Sequence, residues 1–375
     1  MVSFLAVGMT FFAIPPLIPT LRAAFSLSNL SIGLLMGGIA APAIVLSIPL
    51  GAALDRWPPR AAGVAGLAVM LVGAAAFAVA PSYGWLLASR LLFGVGGLVM
   101  NLLLARLISA AFAGRELALA MGLFTAVYPA SMIVLFSFHP WLEATFGWRM
   151  EMGLLALLVL AAIPLHAVAV PRHVPVAPEK PGVDRAGALP ASLVALGVAW
   201  MLYWVVFAAV PTFGPEWAGS GASGLLVTSV ITWVAMLGAP FAGAAIDRAG
   251  RPQLWCAAGI GVMGATLALM AAGTLPAVAA MALLGLVAAV VPPAFYSLPA
   301  RLVAAERVGF AFGFITALSN LGAVIGPTLA GAVRDATPAW AAEWGTLAVV
   351  ALAGAVAAAL VRSPQPASIE PGQAP

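Results

Sequence analysis

The chain has 375 residues, 63% of them hydrophobic and only 7% charged, with a formal net charge of +4. Because soluble domains carry about 25% charged residues, this composition excludes a soluble globular protein and indicates that lipid surrounds most of the chain. The basic residues are scattered one or two at a time, which argues against a nucleic-acid partner, and the single cysteine excludes an internal disulfide.

Apolar stretches long enough to cross a bilayer, about 20 residues each, follow one another along the whole chain. There are twelve, so the sequence predicts an all-α polytopic membrane protein with twelve transmembrane helices. The first begins at Met1 without a basic leader region and is interpreted as a retained helix, not a signal peptide. The predicted spans are 1–21, 29–54, 61–80, 82–104, 117–138, 149–170, 190–212, 223–246, 253–274, 276–299, 308–333 and 340–361.

The distribution of Lys and Arg between the loops sets the predicted orientation. With the N-terminus inside, only Arg22, Arg149 and Arg334 fall on the outer side, and Arg90 lies within span four. The positive-inside rule therefore predicts cytoplasmic termini in a multi-pass protein of a plasma membrane or bacterial inner membrane, embedded in the lipid bilayer. The inner loops and tail hold Arg56, Arg60, Arg106, Arg115, Arg172, Lys180, Arg185, Arg248, Arg251, Arg301, Arg307 and Arg362.

A proline-rich polar segment between spans six and seven divides the chain into two parts. The predicted organisation is an N-terminal six-helix bundle at 1–170, a cytoplasmic linker at 171–189, a C-terminal six-helix bundle at 190–362 and a cytoplasmic tail at 363–375.

The two bundles also share sequence. GAALDR at 51–56 recurs as GAAIDR at 243–248, and ALAMGLFTA at 118–126 recurs as GFAFGFITA at 309–317. Trp148 and Trp340 open the last span of each bundle at the same spacing of about 192 residues. A six-plus-six repeat about an axis along the membrane normal is an architecture of secondary transporters.

The loop after span two carries a resemblance to the major facilitator superfamily, whose motif there is G-x-x-x-D-R/K-x-G-R-R/K. The copy at 243–251 fits until Pro252, whereas the copy at 51–60 lacks the second glycine and contains two prolines, so its turn must differ. Arg90-Leu-Leu-Phe-Gly94 matches the R-x-x-x-G motif of the family. The sequence resembles this family over its whole length. No full copy of the Gly-Pro motif of its antiporters is present in span five.

The resemblance implies two pseudo-symmetric bundles that alternate access by rocking. It also implies gating roles for the loop residues, because an Asp at a helix end can meet the positive end of a neighbouring helix dipole and an Arg can bind carboxylates or carbonyls across the gap. The alternative is that these residues only mark topology. The implied gating residues are Gly51, Asp55, Arg56, Gly243, Asp247, Arg248 and Arg251.

In this family spans one, four, seven and ten line the central cavity, so polar residues there are substrate-site candidates. Arg90, Gly94, Gly97 and Asn101 step by four, three and four residues and share one helical face. Arg suits a carboxylate or phosphate, although Arg90 could instead snorkel to the surface or bond neighbouring helices. Further candidates, which could equally be packing residues, are Tyr128, Trp200, Tyr203, Trp204 and Asn320.

The sequence places no Asp or Glu deep in a span, and His139, Glu143 and Glu151 lie near span ends, where they carry little information. The leading hypothesis is a secondary or facilitated transporter of a small organic or inorganic anion. The alternatives are efflux of hydrophobic drug-like compounds and a non-transporting sensor or scaffold. We expect a monomer that is not an enzyme, without catalytic residues, metal or cofactor. Substrate identity, direction and a coupling proton are left open.

Overall fold

The computed structural model describes residues 2–54, 56–111, 117–170, 189–219, 221–303 and 307–362, and their regular structure is entirely helical. Fourteen helices lie in these ranges. They are α1 (Val2–Phe11), α2 (Ile14–Phe25), α3 (Asn29–Gly37), α4 (Ala41–Leu54), α5 (Pro59–Ala78), α6 (Tyr83–Ala111), α7 (Leu117–Ala169), α8 (Ala191–Ala218), α9 (Ala222–Ala249), α10 (Pro252–Ala271), α11 (Ala277–Tyr296), α12 (Pro299–Leu302), α13 (Val308–Ala336) and α14 (Trp340–Ala359).

Ten segments of the described chain are long and apolar enough to cross a membrane, and the bent pair α1 and α2, at 45°, forms an eleventh. Helix α7 has 53 residues, about 80 Å at ~1.5 Å per residue, which is far longer than a bilayer core. Gly147 interrupts it with a φ of 72° that favours glycine. The side chains of His139 and Glu151 meet at 2.9 Å, so the chain reverses between them. Counting the two arms of α7 separately gives the twelve predicted spans.

Helices before residue 170 and helices after residue 190 form two halves that meet along three lines. Helices α3 and α4 pack against α13, α7 packs against α9, and α2 packs against α8. The closest approaches are made by glycines: a Cβ on Gly33 or Gly37 would run into the α13 backbone at Pro327 or Val324. Small residues allow membrane helices to approach this closely.

These tight contacts lie at one end of the bundle, which we call the closed end, where α2 and α8 finish and α3 begins. At the opposite, open end, Ile48 of α4 is 79% exposed. Phe241 of α9 is also 79% exposed. A Cβ on Gly51 or Gly243 would meet no atom within 4 Å. The two halves therefore touch at the closed end and stand apart at the open end.

The two copies of the repeated loop turn differently, as predicted from their sequences. Helix α9 ends at Gly250, whose φ of 68° closes the helix with a hydrogen bond from its N–H to the Ile246 carbonyl. In the first copy Pro58 and Pro59 replace that turn, and Pro59 starts α5, where a missing N–H costs nothing.

Candidate functional site

Arg90 is the one intramembrane arginine of the sequence analysis, and it is only 2% exposed. Its guanidinium donates from Nη1 to the Thr10 carbonyl at 2.5 Å and from Nη2 to the Phe11 carbonyl at 3.3 Å. Its Nε donates to the Leu35 carbonyl at 3.2 Å. One side chain on α6 thus joins the end of α1 to the last turn of α3.

Two of these carbonyls lack helical donors because of the local sequence, whereas that of Thr10 also accepts from the Ala13 N–H at 3.4 Å. Phe11 would normally receive a helical hydrogen bond from residue 15, but Pro15 has no N–H, and Pro16 has the same effect on Phe12. Leu35 lies in the last turn of α3, where carbonyls lack intrahelical donors. Unpaired carbonyls are costly in lipid, so Arg90 stabilises both chain breaks.

Gly94 completes this arrangement one turn further along α6. A Cβ there would run into the backbone of Ile39, just beyond the end of α3. The Arg90–Gly94 motif therefore holds α6 against the break in span two. Of the roles considered for Arg90 in the sequence analysis, helix–helix bonding is the one with observed partners.

Asn101 and Tyr128 come together in the first half. The Asn101 amide donates to the Tyr128 hydroxyl at 3.4 Å, across α6 and α7. The Tyr128 ring stands edge-on to Phe11 of α1, with centroids 6.1 Å apart. Both Asn101 and Tyr128 are half-buried, so this group presents an amide and an aromatic ring at mid-depth.

The aromatic stripe of α8 divides into two parts. Trp200 and Tyr203 are each 2% exposed and stack on one another at 4.9 Å, while Trp200 also stacks on Phe295 of α11 at 3.9 Å. These rings pack within the second half. Trp204 and Phe207 remain half-buried, and the indole Nε1 of Trp204 has no hydrogen-bond partner among the described residues.

Trp204 lies next to a small alanine cluster at which the two halves touch, and we call this cluster the plug. Ala40, Ala208 and Ala323 form one small cluster from α3–α4, α8 and α13, with Trp204 packed against it. Trp204 precedes Ala208 by one turn, and Asn320 precedes Ala323 by three residues, both toward the open end. The Asn320 amide donates to the Thr316 carbonyl of its own helix. Trp204 and Asn320 thus line the first layer below the plug.

The loop residues of the open end are solvent-exposed. Arg56, Asp247, Arg248 and Arg251 are exposed, and no hydrogen bond or ion pair links them to the opposite half within the described ranges. Asp55 lies outside the described residues. The arrangement fits an open gate at this end, and the gating role itself stays a prediction.

The closed end carries a polar latch that sequence reasoning missed. Asp335, at the end of α13, accepts hydrogen bonds from the backbone N–H groups of Asn29 and Leu30, each at 2.8 Å, which are free donors at the start of α3. A carboxylate is stabilised at a helix N-terminus by the dipole. Beside it Arg22 of α2 pairs with Glu216 of α8 at 2.7 Å. Both contacts join the first half to the second.

Two buried carboxylates correct the expectation that span-end acids carry little information. Glu151 is 2% exposed and contacts His139 of the other α7 arm, and Glu343 is fully buried, 3.6 Å from Arg334. A signal for them exists in the sequence: each follows a repeated tryptophan by three residues, Trp148 and Trp340. The repeat therefore reads W-x-x-E in both halves.

Comparisons with known proteins agree with this architecture. The family model described as Major Facilitator Superfamily matches residues 1–197 and again residues 192–375. No curated protein matches the chain in sequence.

Several solved structures share the fold at low sequence identity. The nucleoside transporter NupG, as a D323A mutant, has a TM-score of 0.76 and 16% identity, over 96% of this chain and 98% of that one. A bacterial homologue of the human lysosomal transporter Spinster, inward-facing and unoccupied, gives a TM-score of 0.69 and 16% identity, over 96% and 93%. The same homologue in an occupied inward-facing state gives 0.72 and 14% identity, over 96% and 94%. With the family model matching both halves, the chain belongs to the Major Facilitator Superfamily.

Proposed function

We propose that this membrane transporter works by alternating access and that the structure is its inward-facing state. The single observation that carries the proposal is the asymmetry of the two ends, latched at Asp335 and Arg22 and separated at Gly51 and Gly243. The arginine-rich loops lie at the open end, which the positive-inside rule assigns to the cytoplasm. A substrate then enters or leaves the cavity from the cytoplasmic side in this state.

We further propose a neutral solute with a planar, apolar face and a few hydrogen-bonding groups. Half-buried candidate residues of both halves supply aromatic rings and amides, namely Trp204 and Asn320 in the second half and Tyr128 and Asn101 in the first. Rings stack on planar solutes, and amide side chains can exchange hydrogen bonds with the polar groups of a solute. NupG, a nucleoside transporter of the same fold, handles solutes of this chemistry, which supports the proposal.

The anion hypothesis is less well supported than the neutral-solute one, because it depends on Arg90. Three N–H groups of that guanidinium already bind backbone carbonyls, so an anion would have to compete with the helix breaks of α1 and α3. Efflux of hydrophobic compounds shares the aromatic lining and differs only in the polarity of the solute.

A thermal-shift screen of the purified protein tests the substrate class, because a solute that binds the folded state raises the melting temperature. The probes are uridine, glucose, lactate and tetraphenylphosphonium. We expect stabilisation by the neutral planar probe, with an apparent affinity at least tenfold weaker in Trp204→Ala. Trp233→Ala, which removes an exposed tryptophan of α9, serves as the matched control and should bind normally. Stabilisation by lactate alone would overturn the neutral-solute proposal, and the absence of counterflow in proteoliposomes for every probe would favour a sensor.

A further inference from the structure

A buried histidine between two carboxylates lies at the closed end, away from the cavity. Within the hairpin of α7, His139 Nδ1 lies 2.9 Å from both oxygens of Glu151, and His139 Nε2 lies 3.1 Å from Glu143. His139 and Glu151 are each 2% exposed, whereas the side chain of Glu143 is 29% exposed. We call these three residues the His139 cluster.

The geometry of the cluster fixes how many protons it holds. Both ring nitrogens face carboxylate oxygens at hydrogen-bond distance, so each contact needs one proton. Either the imidazole is doubly protonated, or one carboxyl carries a proton. Loss of one proton leaves a nitrogen lone pair facing an oxygen lone pair, and that contact becomes repulsive.

The surroundings supply no other cation for these carboxylates within the described chain. On the α7 arm beyond Gly147, Arg149 stacks on the Trp148 ring at 4.4 Å and donates to the Ala80 carbonyl at 3.0 Å. On α2, Thr20 donates to Glu143 and Arg22 pairs with Glu216. The remaining helices that pack against α7 add little charge near the cluster. Helix α1 and the nearby part of α9 have no charged residue, and the only charged residue of α5 is Arg60, at its far end. On α6 the nearby groups are Tyr83 and Arg90, which is bound to backbone carbonyls.

The cluster is joined to the latch through α2. Thr20 binds Glu143, and two residues later Arg22 makes the ion pair with Glu216 of the second half and a hydrogen bond to Asn29 at 2.7 Å. A Glu143 released from His139 is free to leave Thr20, which removes one of the contacts that hold the end of α2 in place.

The second half provides an internal comparison. Glu343 stands at the repeat position of Glu151, but its basic neighbour is Arg334, at 3.6 Å. Arginine keeps its charge at all physiological pH values, whereas histidine loses its charge between about pH 5 and 8. The basic partner of the first-half carboxylate is therefore a histidine, and that of the second-half carboxylate is a permanent cation.

We propose that His139, Glu143 and Glu151 form a proton-binding site, reached from the closed-end solution through Glu143, whose occupancy stabilises the closed end. Which side of the membrane supplies the proton follows from the proposed inward-facing state. In that state the closed end faces the external solution, so a low external pH favours the inward-facing state. This differs from a coupling site in the cavity, because the cluster lies beside the latch and not on the solute path.

Distances across the closed end test the proposal with the full-length protein in nanodiscs. Spin labels are placed at Ala24→Cys and Thr337→Cys, two exposed positions on opposite halves, after Cys256→Ala removes the single native cysteine. We expect one short-distance population at pH 5.5 and at least a threefold rise of a longer-distance population by pH 8.5. Glu151→Gln, whose amide can donate to His139 without an added proton, should abolish that pH response. Glu343→Gln should retain it.

The same pH response in Glu151→Gln as in the wild type, or no response in the wild type, would overturn the proposal. If Glu151→Gln fails to fold, ¹⁵N-histidine NMR of the wild type decides: the His139 ring must lose its second N–H over the pH range in which the long-distance population appears, and a ring that stays in one form contradicts the site. Failure of the transport proposal would appear separately, as absent counterflow with the pH response intact.

Discussion

Arg90 shows how a buried cation and a proline-induced helix break can stabilise each other within a membrane protein. The prolines at 15 and 16 leave carbonyls without donors, and the guanidinium provides donors in a planar fork that reaches α1 and α3 together. The cost of burying the charge is offset by hydrogen bonds to the Phe11 and Leu35 carbonyls, which lack helical donors, and to the Thr10 carbonyl. Its repeat partner in the second half is Met281, which has no such break to bridge.

Replacement of Arg90 should therefore affect stability before it affects binding. We expect Arg90→Ala to lower the free energy of unfolding by about 2–4 kcal/mol, since hydrogen bonds to charged groups each contribute about 1.5–3 kcal/mol and partly relax when lost. Arg90→Lys should recover only part of this, because an ammonium cannot span three carbonyls. Thermal unfolding in detergent checks both, with the exposed Arg56→Ala as the control. An Arg90→Ala protein that is as stable as wild type but no longer binds its solute would instead make Arg90 a ligand.

At the scale of the helix, glycine positions decide which surfaces of the two halves can meet. Gly33 of α3 and Gly331 of α13 face the backbone of the opposite half, whereas Gly51 and Gly243 face open space in this state. If the halves rock, the second pair should become the close contact when the first pair separates.

A bulky residue at Gly33 should destabilise the closed end, because its Cβ would run into the Pro327 carbonyl. We expect Gly33→Leu to raise the labelling rate of a cysteine placed at Leu30, beside the latch, by at least fivefold. Gly153→Leu, on a helix surface with no atom within 4 Å of the added Cβ, is the matched control. Equal labelling in the two variants would mean that the α3–α13 contact does not close this end.

The opposite result is expected at the other glycines. Gly51→Leu and Gly243→Leu leave the present packing intact, so thermal stability should change by less than about 0.5 kcal/mol. Transport should nevertheless fall at least tenfold, since the state in which these glycines are packed becomes inaccessible. Counterflow in proteoliposomes measures this, and normal flux in both variants would remove Gly51 and Gly243 from the gate.

The twelve spans, the repeat and the two different loop turns could be predicted because each depends on local sequence. A span needs about 20 apolar residues, the repeat is visible in the shared GAAxDR motif, and the loops differ because one has a glycine where the other has two prolines. Sequence reasoning could not identify the partners of Arg90, since those depend on which carbonyls the break at Pro15 brings within reach of α6. Glu343 and Asp335 were missed for a related reason. The sequence predicts that an acid near a span end is solvated. Only the packing of the folded chain shows that Glu343 is buried and that Asp335 contacts the N-terminus of a helix from the other half.

At the scale of the whole molecule, the latch at the closed end mirrors the gate implied for the open end. Asp335 follows span eleven and binds the start of span two, whereas Asp55 directly follows span two in the sequence, on the predicted inner side, where span eleven begins. The sequence therefore predicts a carboxylate-to-helix contact at the open end that matches the one observed for Asp335 at the closed end. This reciprocity is the central claim of an alternating-access account, because opening one end must close the other.

Distances at both ends of Asp335→Asn test this claim most directly. One spin-label pair, Ala24→Cys with Thr337→Cys, reports the closed end, and a second, Ala52→Cys with Phe310→Cys, reports the open end, all four being exposed positions. The amide weakens the charge-dependent contact with the α3 N-terminus. We predict that the closed-end distance lengthens and the open-end distance shortens in the same fraction of molecules. A closed end that opens while the open-end distance stays unchanged would contradict alternating access in this protein.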